Sequence, residues 1–224
     1  MRVALFGGSF DPPHGGHLAL ARLARERLAL DRLLVTPVAA QPLKHELPPA
    51  SFADRVAMAG LAFADEPRME ISMLEAPRPD GKLNYTLDTL NAMNKRLAEE
   101  DRLFCILGAD SFLSIGKWHK PDELLMACDF IVGARPGFDL SGARAALPPG
   151  ISAEPQATKL PHVQVLELTR AGQRPTRLYL LLDLDEDVSA TDIRAALQGG
   201  TTKDSVLAPT VLEYIRAHHL YTHL

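Results

Sequence analysis

The stretch Val3–Leu18, VALFGGSFDPPHGGHL, constrains this chain more than any other. A short apolar run, Val3 to Phe6, stops at Gly7-Gly8. A turn follows through Ser9-Phe10-Asp11-Pro12-Pro13, and His14-Gly15-Gly16-His17 leads into apolar residues at helical period, Leu18, Ala21, Leu23 and Leu28. The pattern predicts a strand, a glycine turn and a helix whose opening turn carries two histidines. A spacing of three puts His14 and His17 on one helix face. Unsatisfied backbone N–H groups and the positive end of the helix dipole lie there too, so the unit reads as a cradle for a nucleotide's phosphates. Gly7 and Gly8 let the backbone approach such a ligand closely. The spacing is not that of GxGxxG, and GxxxxGK[ST] would need a lysine that is absent.

Beyond this stretch, short apolar runs alternate with helical patterns. Strands are expected at Val3–Phe6, Leu33–Pro37, Met69–Met73, Leu103–Leu107, Phe130–Ala134, Val163–Leu168 and Leu178–Leu182. Helices are expected at Leu18–Leu30, from Ser51 with its capping-box form, over about Thr86–Glu99, from Ser189 to Gly199-Gly200, and over Pro209–His218. Such alternation predicts an α/β chain: a Rossmann-like, doubly wound parallel sheet with ligands across its C-terminal edge. We read one domain, residues 1–224, with a core over 1–188 and a small C-terminal helical part over 189–224. Ala39–Pro49 and Leu140–Lys159 read as loops.

Lys and Arg number 24 against 28 Asp and Glu, a net charge of −4, which argues against a broad nucleic-acid surface. Cys105 and Cys128 both sit in apolar runs and read as buried thiols, with neither a disulfide framework nor a zinc pattern. No stretch has the length of a membrane span, and the first apolar run ends at Gly7, unlike a signal segment, so a cytoplasmic protein is expected.

A second candidate site lies near the other end. In Val188-Ser189-Ala190-Thr191-Asp192-Ile193-Arg194, Ser189 and Thr191 can cap a helix and Arg194 lies about one turn in. A helix start with hydroxyls and a guanidinium suits phosphate, although a plain capped helix with an exposed arginine would look the same.

These two segments carry a family resemblance. GGSFDPPHGGH is similar to the GxFDxxHxGH signature of the nucleotidyltransferase superfamily with the HxGH motif, and VSATDIR resembles its ISxTxIR signature. Tyr85-Thr86-Leu87-Asp88-Thr89-Leu90 resembles the YTxxTL segment of bacterial nicotinate-nucleotide adenylyltransferases. Gly108-Ala109-Asp110-Ser111 with Trp118 resembles their GxDSxxxxxxW, Arg135-Pro136-Gly137 their RPG turn, and Tyr214-Ile215 with Leu220-Tyr221 their C-terminal YIxxxxLY. One segment departs from the pattern. Where the family has PPHK or PPHR, this chain has Pro42-Leu43-Lys44-His45, with Lys44 in the basic position and His45 one residue late.

What the resemblance implies is transfer of AMP from ATP to nicotinate mononucleotide, giving nicotinate adenine dinucleotide and pyrophosphate. It further implies that His17 steadies the pentacoordinate phosphorus while His14 and Arg194 hold the departing pyrophosphate. Gly7, Gly8, Ser9, Phe10, Ser189, Thr191 and Ile193 would complete the ATP site. Lys44, His45, Tyr85, Thr86 and Asp110 would bind the mononucleotide, with Trp118 stacking on its ring. Mg²⁺ would bridge phosphates, with no metal site of the protein's own. Partners would be small molecules only, neither nucleic acid nor membrane, and there is room for a homo-oligomer. The alternatives are nicotinamide mononucleotide or phosphopantetheine as acceptor, or a non-catalytic nucleotide sensor. His119, His162, His218, His219 and His223 have no partner pattern and receive no role.

Overall fold

The computed structural model describes residues 1–43, 48–134, 139–184, 188–199 and 206–222. Eight strands form one sheet in the order β3-β2-β1-β4-β5-β8-β7-β6. Six of them, β1 (Arg2–Gly8), β2 (Arg32–Pro37), β3 (Met69–Ile71), β4 (Arg102–Gly108), β5 (Asp129–Gly133) and β8 (Thr176–Leu181), run parallel. Such strands are covered on both faces and read as continuous apolar runs. Their alternation then decides which core each side chain joins. Ala4 and Phe6 face one layer with Leu33, Val35, Ile106 and Ile131. Val3 and Leu5 face the other with Leu34, Cys105, Leu107 and Phe130.

The chain leaves β1 toward β2 and β3, then returns to place β4 on the other side of β1. The β1/β4 junction is therefore the point where the winding reverses and a crevice opens beyond the strand ends. Gly7-Gly8 and Gly108 end the two strands there. Helices α1 (Gly15–Arg27) and α2 (Phe52–Ala62) cover one face of the sheet, and α3 (Thr86–Asn94), α4 (Ala109–Leu113) and α5 (Pro121–Ala127) cover the other. The C-terminal helices α7 (Ala190–Gln198) and α8 (Pro209–Ala217) join the first layer through Ile193, Val211, Leu212 and Ile215. The Gly15 N–H donates to the Val206 carbonyl at 2.9 Å, which ties the start of α1 to that C-terminal segment.

The expected α/β fold, a doubly wound and mostly parallel sheet, is present, and two details differ from expectation. The sheet is not parallel throughout: β7 (Val163–Thr169) runs antiparallel to β8, and β6 (Ser152–Gln156) antiparallel to β7. The span Leu140–Lys159 is likewise no simple loop, because it holds α6 (Leu140–Ala145) and β6. The β6 sequence SAEPQ is almost wholly exposed, so it has no apolar alternation to betray a strand. Boundaries also shift: α1 opens at Gly15 rather than Leu18, and α3 stops at Asn94 rather than near Glu99. The short α4 and α5 were not anticipated.

Candidate active site

At the end of β1 the backbone turns sharply. Phe10 adopts φ +49° with its ring buried edge-on to Phe6, centroids 5.4 Å apart. A Cβ at Gly8 would lie 3.1 Å from the Phe10 ring, a tight contact that glycine avoids. The Phe10 ring in turn supports His17 at 4.9 Å. Thus Phe10, expected among the ATP contacts, is a core side chain that props up the histidine turn.

His14 is the N-cap of α1 and His17 its third residue, with ring centroids 3.8 Å apart. The His14 backbone N–H donates to His17 Nδ1 at 3.2 Å. In the neutral ring the proton must then be on Nε2, aimed away from the backbone. Burial, with a smaller contribution from His14, holds the His17 pKa well below the usual 6.5. His17 is therefore a neutral, preoriented N–H donor at neutral pH.

Arg194 reaches this turn from the far end of the sequence. Its Nη1 donates to the Asp11 carbonyl at 2.8 Å and lies 4.0 Å from Asp11 Oδ2, while Nη2 donates to Thr191 Oγ1 at 3.3 Å. Ser189 Oγ accepts the Thr191 N–H at 3.2 Å, the cap expected from the motif. Ile193 is buried in the core, and its N–H donates to the Ser189 carbonyl. Asp11 joins three parts of the chain, because Oδ1 also accepts from the Ala50 N–H at 3.2 Å and the Tyr221 hydroxyl at 2.7 Å.

Arg55 braces the same loop from below. It is 1% exposed and donates to the carbonyls of Ser9 and Val38, both at 2.8 Å, and of Ala39 and Ala50, both at 3.3 Å. Burial lowers its pKa, but Asp11 pulls it back up, so it stays cationic. Arg55→Leu removes the donor from all four carbonyls, of which that of Ala50 is buried and the others part-buried. We expect a loss of about 3–5 kcal/mol, read as a lowered midpoint in urea.

On the other side of Gly7-Gly8 lies a cavity of about 550 Å³, lined by Tyr85, Thr86, Asp110 and Trp118 among others. Tyr85 is the N-cap of α3 and supplies no side-chain cap, so the helix's positive end opens onto the cavity at Thr86 and Leu87. Asp110 stands in the first turn of α4, just beyond β4. Trp118 is half-buried against the apolar layer, and its Nε1 donates to Ser114 Oγ at 3.1 Å. One face is core and the other is cavity wall. Lys44, His45 and Arg135–Gly137 lie outside the described residues; Gln41, Pro42 and Leu43 line the cavity.

The cytidylyltransferase-like family model matches residues 5–196. A probable nicotinate-nucleotide adenylyltransferase of Laribacter hongkongensis is 38% identical over 98% of this chain and 94% of its own length. A protein of the same name from Pseudomonas aeruginosa is 38% identical over 98% of this chain and 97% of its own. This chain belongs to the nicotinate-nucleotide adenylyltransferase family. Among solved structures, nicotinic acid mononucleotide adenylyltransferase of Plasmodium falciparum, complexed with nicotinate adenine dinucleotide (NaAD), superposes with a TM-score of 0.68. It is 18% identical over 98% of this chain and 97% of its own, a likeness of fold.

Within the family pattern, several cavity residues escaped the sequence reading. His119, assigned nothing from sequence, stacks on Tyr85 with centroids 4.1 Å apart and 22° between planes. Lys117 and Asn84 also line the cavity, as does Glu75, a buried carboxyl. The Trp118-His119 and Asn84-Tyr85 neighbours could have flagged two of these. Nothing around Glu75 would have done so.

Proposed function

We infer that this family member transfers AMP from ATP to nicotinate mononucleotide, a step of NAD biosynthesis, and that it works as one unit with its C-terminal helices completing the ATP side. One observation carries the residue roles: Arg194 is hydrogen-bonded to the Asp11 carbonyl, three residues before His14. The two signature segments thus meet beside the sheet edge where the cavity opens.

The acceptor is a phosphate, anionic at neutral pH, so the reaction needs orientation and charge stabilisation rather than a general base. An acceptor phosphate oxygen attacks the α-phosphorus of ATP in line, and the bond to the bridging oxygen of the pyrophosphate breaks. His17 donates from Nε2 to the phosphorane oxygens. His14 and Arg194 hold the departing pyrophosphate, with Ser189 and Thr191 at the start of α7 holding the nucleotide. Gly7 and Gly8 let both phosphates approach the end of β1, and Ser9 lies on the same turn. In the cavity the start of α3 at Tyr85–Thr86 takes the ring carboxylate, Trp118 stacks on the ring and Asp110 holds the ribose side. Among the described residues no group of three or more His, Cys, Asp or Glu is gathered. The polar side chains at the phosphates are mainly donors, which suit phosphate oxygens. Mg²⁺ in this reading is carried by the triphosphate and neutralises its charge. No described helix is long and apolar enough to cross a membrane, and we place the enzyme in the cytoplasm.

Pyrophosphate release from ATP, measured with nicotinate mononucleotide, nicotinamide mononucleotide and phosphopantetheine in parallel, tests the assignment. Release with the first and little with the others is expected; silence with the first would refute it. Lys44→Ala should raise the KM for the mononucleotide about tenfold or more at nearly unchanged kcat, as loss of one charged phosphate contact does. An unchanged KM removes Lys44 from the site.

A further inference from the structure

Glu75 is the least expected group in the cavity wall. It is 3% exposed, yet it lines the same cavity as Tyr85 and Thr86. Its backbone is fixed, since its carbonyl accepts the Ala39 N–H at 2.9 Å. The adjacent Ala76 carbonyl accepts from Asn84 Nδ2 at 2.8 Å, which ties the Glu75 segment to the chain leading into α3. Thr89 lowers the carboxyl's pKa slightly, while its own hydroxyl donates to the Tyr85 carbonyl at 3.5 Å. Glu75 Oε1 is buried and has no hydrogen-bond partner.

A buried carboxyl oxygen without a partner costs free energy unless a ligand completes it. Among the described residues no ion pair involves it, and burial drives its pKa upward, against the smaller opposing effect of Thr89. The nearby positive end of α3 is open to the cavity. That end favours an anion. Two anions in one low-dielectric pocket are unfavourable, so when a substrate carboxylate occupies the end of α3 the neutral form of Glu75 wins. A neutral carboxyl can donate a hydrogen bond, while an ionised one only accepts.

We propose that Glu75 is a specificity-determining residue that reads the substituent of the pyridine ring, donating a hydrogen bond from Oε1 to a carboxylate oxygen of nicotinate mononucleotide. This rests on the substrate assignment above and adds to the backbone donors a side chain whose protonation decides between acid and amide. With Glu75 neutral, the acid gains a donor. With Glu75 ionised, the acid is repelled and an amide N–H₂ finds an acceptor.

Binding of the acid must then take up a proton once the pH exceeds the Glu75 pKa, and binding of the amide need not. Other titratable groups around it are Cys105 on β4, whose thiol is pushed up by burial and by Glu75, and Tyr85, Asp110, Lys117 and His119 on the cavity wall. All of these remain in Glu75→Gln, so the difference between the two proteins isolates Glu75.

The test is calorimetric titration of wild type with each mononucleotide from pH 6.5 to 9, in two buffers of different ionisation enthalpy. We expect proton uptake with nicotinate mononucleotide that rises toward one per site, and an affinity that falls tenfold per pH unit above the transition. Nicotinamide mononucleotide should show neither. Glu75→Gln, which keeps a neutral donor, should bind the acid without uptake and with a flat pH profile. Absence of uptake in wild type, or the same uptake in Glu75→Gln, overturns the role of Glu75 while pyrophosphate release still supports the substrate. If wild type binds neither mononucleotide, the substrate assignment fails and Glu75 with it. Absence of uptake in wild type overturns the role of Glu75 even if the variant does not fold.

Discussion

His17→Ala is expected to remain folded and to lose at least about 100-fold in kcat, the usual effect of deleting one preoriented donor to a charged transition state. The ring is half-buried over Phe10 rather than in the core, so a far-ultraviolet spectrum like that of wild type should accompany the loss. Because the His14 N–H already occupies Nδ1, only Nε2 can serve the phosphorane. His17→Gln should therefore recover part of the rate and His17→Leu none. A pH series gives a further check. The folded pKa of His17 is depressed below 6.5, so the neutral ring is the form that folding favours. That contribution to stability is complete above the unfolded value near 6.5 and is lost as the pH falls through the folded one. The melting temperature of wild type should drop over this acidic window more steeply than that of His17→Ala. An alanine variant with near-normal turnover would remove His17 from the mechanism.

Arg194→Ala should lower kcat/KM for ATP by at least about 100-fold, or about 3 kcal/mol of transition-state stabilisation. The guanidinium does two things that diverge in space: Nη1 binds the Asp11 carbonyl and Nη2 binds Thr191 Oγ1. A lysine offers one compact ammonium and cannot span both. Arg194→Lys should consequently stay within about tenfold of the alanine variant. Steady-state kinetics with ATP varied at saturating mononucleotide measure this, and a lysine variant at wild-type rate would contradict it.

The strand–turn–helix of residues 3–27 was legible because its signals are local: an apolar run, two glycines and the onset of helical period. The Ser189 cap was legible for the same reason. What could not be read from residues alone was that Asp11 and Arg194, 183 positions apart, touch; only the family resemblance implied it. The resemblance implied an ATP contact for Ile193, and a residue that meets a ligand through its backbone looks like a core residue in sequence; the structure buries its side chain. Glu75 escaped because a single acid in ISMLEAP looks solvated until the fold closes over it. His119 escaped because its partner Tyr85 lies 34 residues earlier. The edge strand β6 escaped because exposure on both faces removes the alternation by which strands are found.

That edge strand has a further consequence. β6 ends one side of the sheet, and it carries Pro155, paired opposite Leu166. Proline has no N–H, so a second molecule approaching this rim meets a gap in its row of donors. The opposite rim is β3, only three residues long. A protein at high concentration should thus resist stacking strand to strand into fibrils, because neither border offers a template long or regular enough to copy.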